Sequence, residues 1–189
     1  ECYIKFIGDV WHGKEGRNSM SAQKKLIQSI VIDKLQHILP KNHPLKFYYT
    51  QSEMSKGGKP STGLEIQLIA SSTNNCILGG NALVNSKSLA TIGKEAALAA
   101  SNNLAKELKS EACVSEHLAD QLLVFMALAK GTSRIRIRPI LSFTSKHLET
   151  GIYVIKELMK DVQIRVYPNP IDEGETQIVE CKGIGLTKK

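Results

Sequence analysis

A repeated switch between two hydrophobic periods limits what this chain can fold into more than any other feature. Apolar residues at every second position favour a strand, whereas spacings of three and four favour a helix. In the first half, strands are expected at 2–11, 45–50, 63–70 and from Cys76 onward. Helices are expected at 26–39, with Ser19 or Ser21 as the cap, and at 90–110. The order β-α-β-β-β-α is typical of a compact α/β unit.

The pattern restarts near Ala112. Ser115 is expected to cap an apolar helix that continues to about Lys130 and ends at Gly131. A strand at 133–138, a helix at 147–160 and a closing β pair at 162–166 and 176–181 complete the chain. We therefore predict an α/β (α+β) protein with two domains, 1–111 and 112–189.

The composition excludes several classes of protein. A hydrophobic content of 42% is too high for an intrinsically disordered chain. No apolar run approaches the ~18 residues that a membrane-spanning helix needs. The chain has 189 residues, and its 25 basic and 18 acidic residues give a net charge of +7, which suits a polyanionic partner such as RNA.

Four cysteines are spaced far apart, without a CxxC pair or the spacing of a zinc site: Cys2, Cys76, Cys113 and Cys181. We expect all four to be reduced thiols in an intracellular protein, because a chain of this length can bury a core without disulfides. The first residues form a strand-like run with no initiator Met, so we expect the chain to be a piece of a longer protein.

Arginine and isoleucine alternate in the strand Arg134–Arg138. A period of two puts Arg134, Arg136 and Arg138 on one face and the two isoleucines on the other. Either the arginines form the solvated face of a half-buried strand, or they bind the phosphates of RNA or of a nucleotide. Charge alone does not decide between these two interpretations.

Two polar groups near helix beginnings could carry chemistry. His117, Asp120 and Gln121 are spaced i, i+3 and i+4, on one face at the start of an otherwise apolar helix. Such a group is either ordinary helix-start polarity or a site for nucleotide phosphates or a metal–phosphate group. His147 begins the next helix, where it could be a surface residue or a catalytic one.

Three sequence blocks, in this order, resemble the RNA 3′-terminal phosphate cyclase family. The helix 115–122 (SEHLADQL) with 124–129 (VFMALA) is similar to the family's signature helix. Residues 147–152 (HLETGI) resemble its H-x-x-T-x-I segment, and 180–187 (ECKGIGLT) resemble the tail of eukaryotic members. Residues 1–110 resemble the family's inserted domain in the order of their elements. The resemblance thus implies an inserted domain of one sheet and two helices, followed by the last β-α-β-α-β-β repeat of the cyclase core.

The resemblance also implies a reaction and its residues. His147 would attack the α-phosphorus of ATP to form histidyl-AMP, and the AMP would pass to an RNA 3′-phosphate that closes to a 2′,3′-cyclic phosphate. His117, Asp120 and Gln121 would bind the nucleotide, with Asp120 near a divalent metal ion, Mg²⁺ or Mn²⁺. The protein would act in the nucleus, and this chain alone would be inactive without the N-terminal half of the same protein.

Two other functions remain open. One is that of a non-catalytic, cyclase-like protein of ribosome assembly, although the histidine in its HxxT setting argues against it. The other is that of an RNA-binding module that uses the face of the Arg134–Arg138 strand. Labelling of the protein by ATP separates catalysis from both.

Overall fold

The computed structural model describes residues 2–7, 13–40, 45–52, 63–73, 75–85, 91–139, 146–172 and 175–186. This part of the chain contains helices and strands in an α+β arrangement, as the sequence predicts. In chain order they are β1 (Cys2–Ile7), α1 (Gly13–Leu35), β2 (Phe47–Ser52), β3 (Gly63–Ser71), β4 (Ile77–Asn85), α2 (Ile92–Lys109), α3 (Glu116–Leu128), β5 (Lys130–Ile137), α4 (Lys146–Leu158), β6 (Gln163–Pro168) and β7 (Gln177–Ile184). None of the described helices is long and apolar enough to span a bilayer.

The described residues divide into two compact units. The first contains the described residues up to Ser72 together with Leu78–Lys109, and the second contains Thr73–Ile77 and the residues from Ser110 onward. The predicted boundary between 111 and 112 lies two residues from the observed change between Lys109 and Ser110. The segment 73–77, which the sequence assigns to the first domain, packs with the second unit.

The first unit is a four-stranded sheet in the order β2-β1-β3-β4 with α1 and α2 packed against it. Strand β1 pairs in parallel with β2 and antiparallel with β3. Alternate residues of β3 are fully buried, as its hydrophobic period predicts. The core joins them to apolar residues of both helices: Ile27, Val31, Leu35, Leu64, Ile66, Leu68, Ile92, Ala96, Ala97, Ala100 and Leu104.

Helix α1 begins earlier than the sequence predicts. It starts at Gly13, so Ser19 and Ser21 lie inside the helix and neither can cap it. The first quarter of the helix, Gly13–Asn18, contains no hydrophobic side chain, so an apolar period could not reveal it. The predicted strand at 2–11 is a strand from Cys2 to Ile7, and residues 8–11 lie outside the described residues.

The second unit has a three-stranded antiparallel sheet in the order β5-β7-β6. Helices α3 and α4 pack against each other and cover one face of it. The residues that face the helices alternate along every strand, and they form the core with the buried sides of both helices: Ala119, Leu123, Met126, Ala127, Ile137, Leu148, Ile155, Val162, Ile164, Val179 and Cys181. Burial also raises the pKa of the Cys181 thiol.

Helix α3 differs from its prediction at both ends. Ser115 occupies the N-cap position, but its side chain makes no capping hydrogen bond. The helix ends at Leu128 rather than near Lys130, and Gly131 lies inside β5 with a φ of +90°. Glycine is therefore required there by the backbone of the strand and not by a helix terminus.

The expectation of four reduced thiols is wrong for two of the cysteines. Cys76 and Cys113 form a disulfide, with their Cα atoms 5.2 Å apart and a sequence separation of 37. The segment around Cys76 packs with the second unit, which brings it beside the residues that precede α3. Cys181 is a free, buried thiol. The cellular compartment stays a prediction.

Candidate active site at one end of the second unit

Helices α3 and α4 run in the same direction. Strands β5 and β6 are both antiparallel to β7 and hence parallel to each other. Each helix is joined by a short connection to the strand that follows it, α3 to β5 and α4 to β6, and packs back against the sheet. Both helices therefore begin at the end of the sheet where β5 and β6 finish.

Backbone hydrogen bonds at the two ends of α3 agree with this direction. Just before α3, the Cys113 N–H donates to the carbonyl oxygen of Arg136, near the end of β5 (2.9 Å). At the other end, the Leu186 N–H donates to the carbonyl oxygen of Leu128 (2.9 Å). The beginnings of α3 and α4, and the positive ends of their dipoles, thus lie at one end of the unit.

One contact between these helices indicates the relative levels of His147 and Asp120. A Cβ on Gly151 of α4 would lie 3.3 Å from Cδ1 of Leu123 on α3, so these two positions meet between the helices. His147 precedes Gly151 by four residues, and Asp120 precedes Leu123 by three. Residues three and four apart share a helix face. Because the helices are parallel, His147 and Asp120 are both about one turn closer to the helix beginnings than that contact.

The side chains at this level are accessible. His147 is exposed, Gln121 is exposed and Asp120 is half-buried. The Asp120 Oδ1 accepts a hydrogen bond from the backbone N–H of Gln121 (2.8 Å). His117 belongs to the first turn of α3, four residues before Gln121. The structure thus brings the predicted residues to one end of the unit, while their roles stay predictions.

A buried polar network holds the β6–β7 connection at the same end of the sheet. The Asn169 Nδ2 donates to the Asp172 Oδ2 (2.9 Å) and to the Thr176 Oγ1 (3.0 Å), and the Thr176 hydroxyl also donates to Asp172. The Ile171 N–H donates to the Asn169 Oδ1 (3.3 Å). Asn169 and Thr176 are both almost fully buried. The network links Asn169 and Asp172 to Thr176 at the end of the sheet where α3 and α4 begin, and no sequence pattern predicted it.

The three arginines of the predicted phosphate-binding strand occupy different environments. Arg134 is exposed, and its Nε donates to the Glu180 Oε2 at 2.6 Å, which raises the pKa of Arg134 above its ordinary value. Arg136 is half-buried. Arg138 is also half-buried and follows the last residue of β5. Ile135 and Ile137 pack into the core, so the predicted alternation holds over the strand itself.

The resemblance places Asp120 near a divalent metal ion. The described residues contain no group of three or more His, Cys, Asp or Glu side chains placed to hold a metal ion. Mg²⁺ commonly binds one or two carboxylates and takes its other ligands from water and substrate phosphates. A single half-buried carboxylate at Asp120 is compatible with such an ion, and this role stays a prediction.

The comparisons with known proteins agree on one family. A family model described as RNA 3′-terminal phosphate cyclase matches residues 15–166. A probable RNA 3′-terminal phosphate cyclase of Dictyostelium discoideum is 35% identical over 125 residues, which is 65% of this chain and 27% of that protein.

The RNA 3′-terminal phosphate cyclase of Pyrobaculum aerophilum is 32% identical over 68% of the chain and 33% of the relative. That of Drosophila melanogaster is 30% identical over 67% of the chain and 32% of the relative. The matched residues thus cover about a third or less of the length of these relatives. Since the family model covers most of the chain, the chain belongs to the RNA 3′-terminal phosphate cyclase family.

Proposed function

We propose that the full-length protein converts an RNA 3′-phosphate into a 2′,3′-cyclic phosphate at the expense of ATP, with His147 as the nucleophile. The observation that carries the proposal is that the helices carrying His147 and Asp120 lie side by side and begin at the same end of the unit. Membership of the cyclase family supports the same reaction.

The proposed chemistry has three balanced steps. A neutral imidazole nitrogen of His147 attacks the α-phosphorus of ATP, the bond to the β-phosphate oxygen breaks, and pyrophosphate leaves. An oxygen of the RNA 3′-phosphate then attacks the adenylyl phosphorus, which breaks the N–P bond and returns His147. Finally the 2′-hydroxyl oxygen attacks the activated phosphorus, AMP leaves, and the hydroxyl proton is lost to a base.

The position of His147 suits the first of these steps. A neutral imidazole has an unshared electron pair on one ring nitrogen, and that nitrogen can attack phosphorus. The side chain is exposed and can reach a substrate without rearrangement of the core. The positive ends of two helix dipoles favour the negative charge of a triphosphate at the same place.

We assign nucleotide contacts to the beginning of α3. In this proposal the amide of Gln121 and the ring of His117 hold the nucleotide, and the carboxylate of Asp120 holds a divalent ion against its phosphates. The ion would supply positive charge for the phosphate oxygens. Arg134, Arg136 and Arg138 would contribute phosphate contacts for the RNA.

The rest of the longer protein is the proposed partner of the exposed apolar residues on the two helices. Phe125 is 70% exposed and Val124 50%, both on the side of α3 away from the sheet. Tyr153 and Leu158 of α4 are likewise more than half exposed. Since the matched residues cover only 27–33% of these relatives' length, we propose that other parts of the full-length protein cover these side chains. The 189 residues alone are then expected to have little or no cyclase activity, and we propose a nuclear location for the whole.

Labelling with ATP tests the proposal. The full-length protein is incubated with α-labelled ATP and Mg²⁺ or Mn²⁺, and the label on the protein should be acid-labile and alkali-stable, as expected of a phosphoramidate. His147→Asn should abolish the label while folding and RNA binding persist, because asparagine keeps the polarity but cannot attack as imidazole does. His37→Asn changes another exposed histidine, in the first unit, and should label as the unmodified protein does.

The outcome also separates the alternatives. Undiminished labelling of His147→Asn would move the nucleophile elsewhere, with His117 the next candidate. A protein that binds RNA but takes no label from ATP would instead be a non-catalytic member of the family.

A further inference from the structure

The face of the second sheet opposite α3 and α4 carries its own chemistry. Successive side chains of a strand point to opposite faces of the sheet. The strand residues next in sequence to the core residues therefore point to this other face. The register between the strands defines the surface, which we call the open face: Lys130, Thr132, Arg134 and Arg136 of β5, Ile178, Glu180, Lys182 and Ile184 of β7, and Gln163, Arg165 and Tyr167 of β6.

The open face is strongly basic. Its cations are Lys130, Arg134, Arg136, Arg165 and Lys182, and the acid among these described residues is Glu180. Glu180 lies between Arg134 on one neighbouring strand and Arg165 on the other. The Glu180 side chain is 21% exposed, and that of Arg134 is 66% exposed. One carboxylate thus holds the guanidinium of Arg134 at the surface while most of the positive charge stays uncompensated.

An aromatic ring adds a second kind of contact. Tyr167 is paired with Ile178, which in turn is paired with Arg136 across the sheet. Its hydroxyl donates to the Glu180 Oε2 at 3.5 Å, which keeps the side chain over the open face. Proteins that bind single-stranded nucleic acids without sequence preference combine a track of cations with aromatic rings on which bases stack.

We propose that the open face binds the single-stranded body of an RNA, with Arg165 and Lys182 contacting phosphates and Tyr167 stacking on a base. The proposal rests on the proposed function only for the choice of RNA as the polyanion. Strand β5 connects the two regions, because it leads from Arg134 through Arg136 to the end of the sheet where α3 and α4 begin. An RNA on this face could lie in either of two directions. A cyclase requires the direction in which the 3′ end of the RNA lies toward His147.

RNA binding as a function of salt tests the proposal. The probe is a fluorescent single-stranded RNA with a 3′-hydroxyl, which cannot be activated, bound to the full-length protein and followed by anisotropy. Arg165→Ala and Lys182→Ala should each weaken binding and reduce the slope of log K against log salt by about 0.7. Lys156→Ala, which removes an exposed charge from α4, is the matched control and should leave the slope unchanged.

Variants of Glu180 and Tyr167 give results that a structural role would not produce. Glu180→Gln removes the acid of the open face, so it should strengthen binding and steepen the salt dependence. Tyr167→Phe keeps the ring and should bind as the unmodified protein does, whereas Tyr167→Leu should lose about tenfold in affinity because the stacking surface is gone.

Unchanged slopes in Arg165→Ala and Lys182→Ala, or an equal loss in Lys156→Ala, would overturn the proposal. Weaker RNA binding by Glu180→Gln would overturn it as well, and this variant remains decisive if an arginine variant fails to fold. Labelling the unmodified protein with ATP in the absence of RNA tests the proposed function separately from RNA binding by the open face. If the protein takes no label but shows the expected salt effects, the open-face proposal stands and the cyclase proposal is refuted. If the protein is labelled normally but does not bind RNA, the cyclase proposal stands and the open-face proposal is refuted.

Discussion

Replacing Gly183 by alanine tests how closely β7 supports the helix that carries Asp120. A Cβ at position 183 would collide with the backbone carbonyl oxygens of Met126 and Ala129, and it would lie 2.8 Å from that of Ala127. These atoms form the last turn of α3, where no side chain can rotate away. The helix end must therefore move away from the sheet, which opens the core around Leu123.

The expected cost is about 3 kcal/mol of unfolding free energy for the second unit, at the upper end of the usual range for overpacking a core. Denaturant unfolding followed by circular dichroism measures the total, and hydrogen exchange in α3 shows where protection is lost. Because α3 also positions Asp120 and Gln121, labelling by ATP should fall as well in the full-length protein.

Two other glycines provide matched controls. Among the described residues, a Cβ at Gly79 would meet only a carbonyl oxygen of Leu68 at 3.7 Å, an ordinary contact, so Gly79→Ala should be nearly neutral. A Cβ at Gly131 would meet no described residue within 4 Å, but alanine there needs a positive φ, so Gly131→Ala should cost about 1–2 kcal/mol from backbone strain alone. If Gly183→Ala is no more destabilising than Gly79→Ala, the close packing of β7 against α3 is refuted.

Two further predictions concern the second unit. Reduction of the Cys76–Cys113 disulfide should release two thiols to a thiol reagent in the unfolded protein and lower stability by up to about 4 kcal/mol for a 37-residue separation; no gain in thiols would contradict the bond. Asn169→Ala should cost about 2 kcal/mol in denaturant unfolding, because Asp172 and Thr176 lose a buried partner, and a neutral result would show that the network does not hold the loop.

The elements with one buried face could be predicted from the sequence. In β3 the alternation of Leu64, Ile66 and Leu68 reports the core directly, since all three side chains are buried. The Arg/Ile alternation of β5 predicted its two faces for the same reason. The early turns of α1 gave no such signal, because Gly13–Asn18 contains no apolar residue to mark the side that faces the core.

Which residues lie beside the predicted site residues could not be predicted, because it depends on tertiary structure. The place of Glu180 between Arg134 and Arg165 is set by the register of two strand pairs, which local sequence does not contain. The level of His147 beside Asp120 requires that α3 and α4 run in the same direction. The alternation of Gln163–Tyr167, taken together with the register of a β-hairpin, would predict that Arg165 and Tyr167 lie on the open face.

The disulfide shows the same limit more clearly. Its cysteines are 37 residues apart and belong to segments that the hydrophobic pattern assigns to different domains. Only the packing of residues 73–77 with the second unit brings Cys76 near Cys113. Cysteine spacing alone could not have shown this pairing.

Locating the AMP on the protein tests the central claim most directly. The full-length protein is incubated with ATP and Mg²⁺ or Mn²⁺ in the absence of RNA, digested at alkaline pH, and its peptides are analysed by mass spectrometry. We expect one adenylylated peptide, with AMP on His147 and with no adduct in the His147→Asn variant. Adenylylation of another residue, or the same labelling in His147→Asn, would contradict the assignment of His147 as the nucleophile.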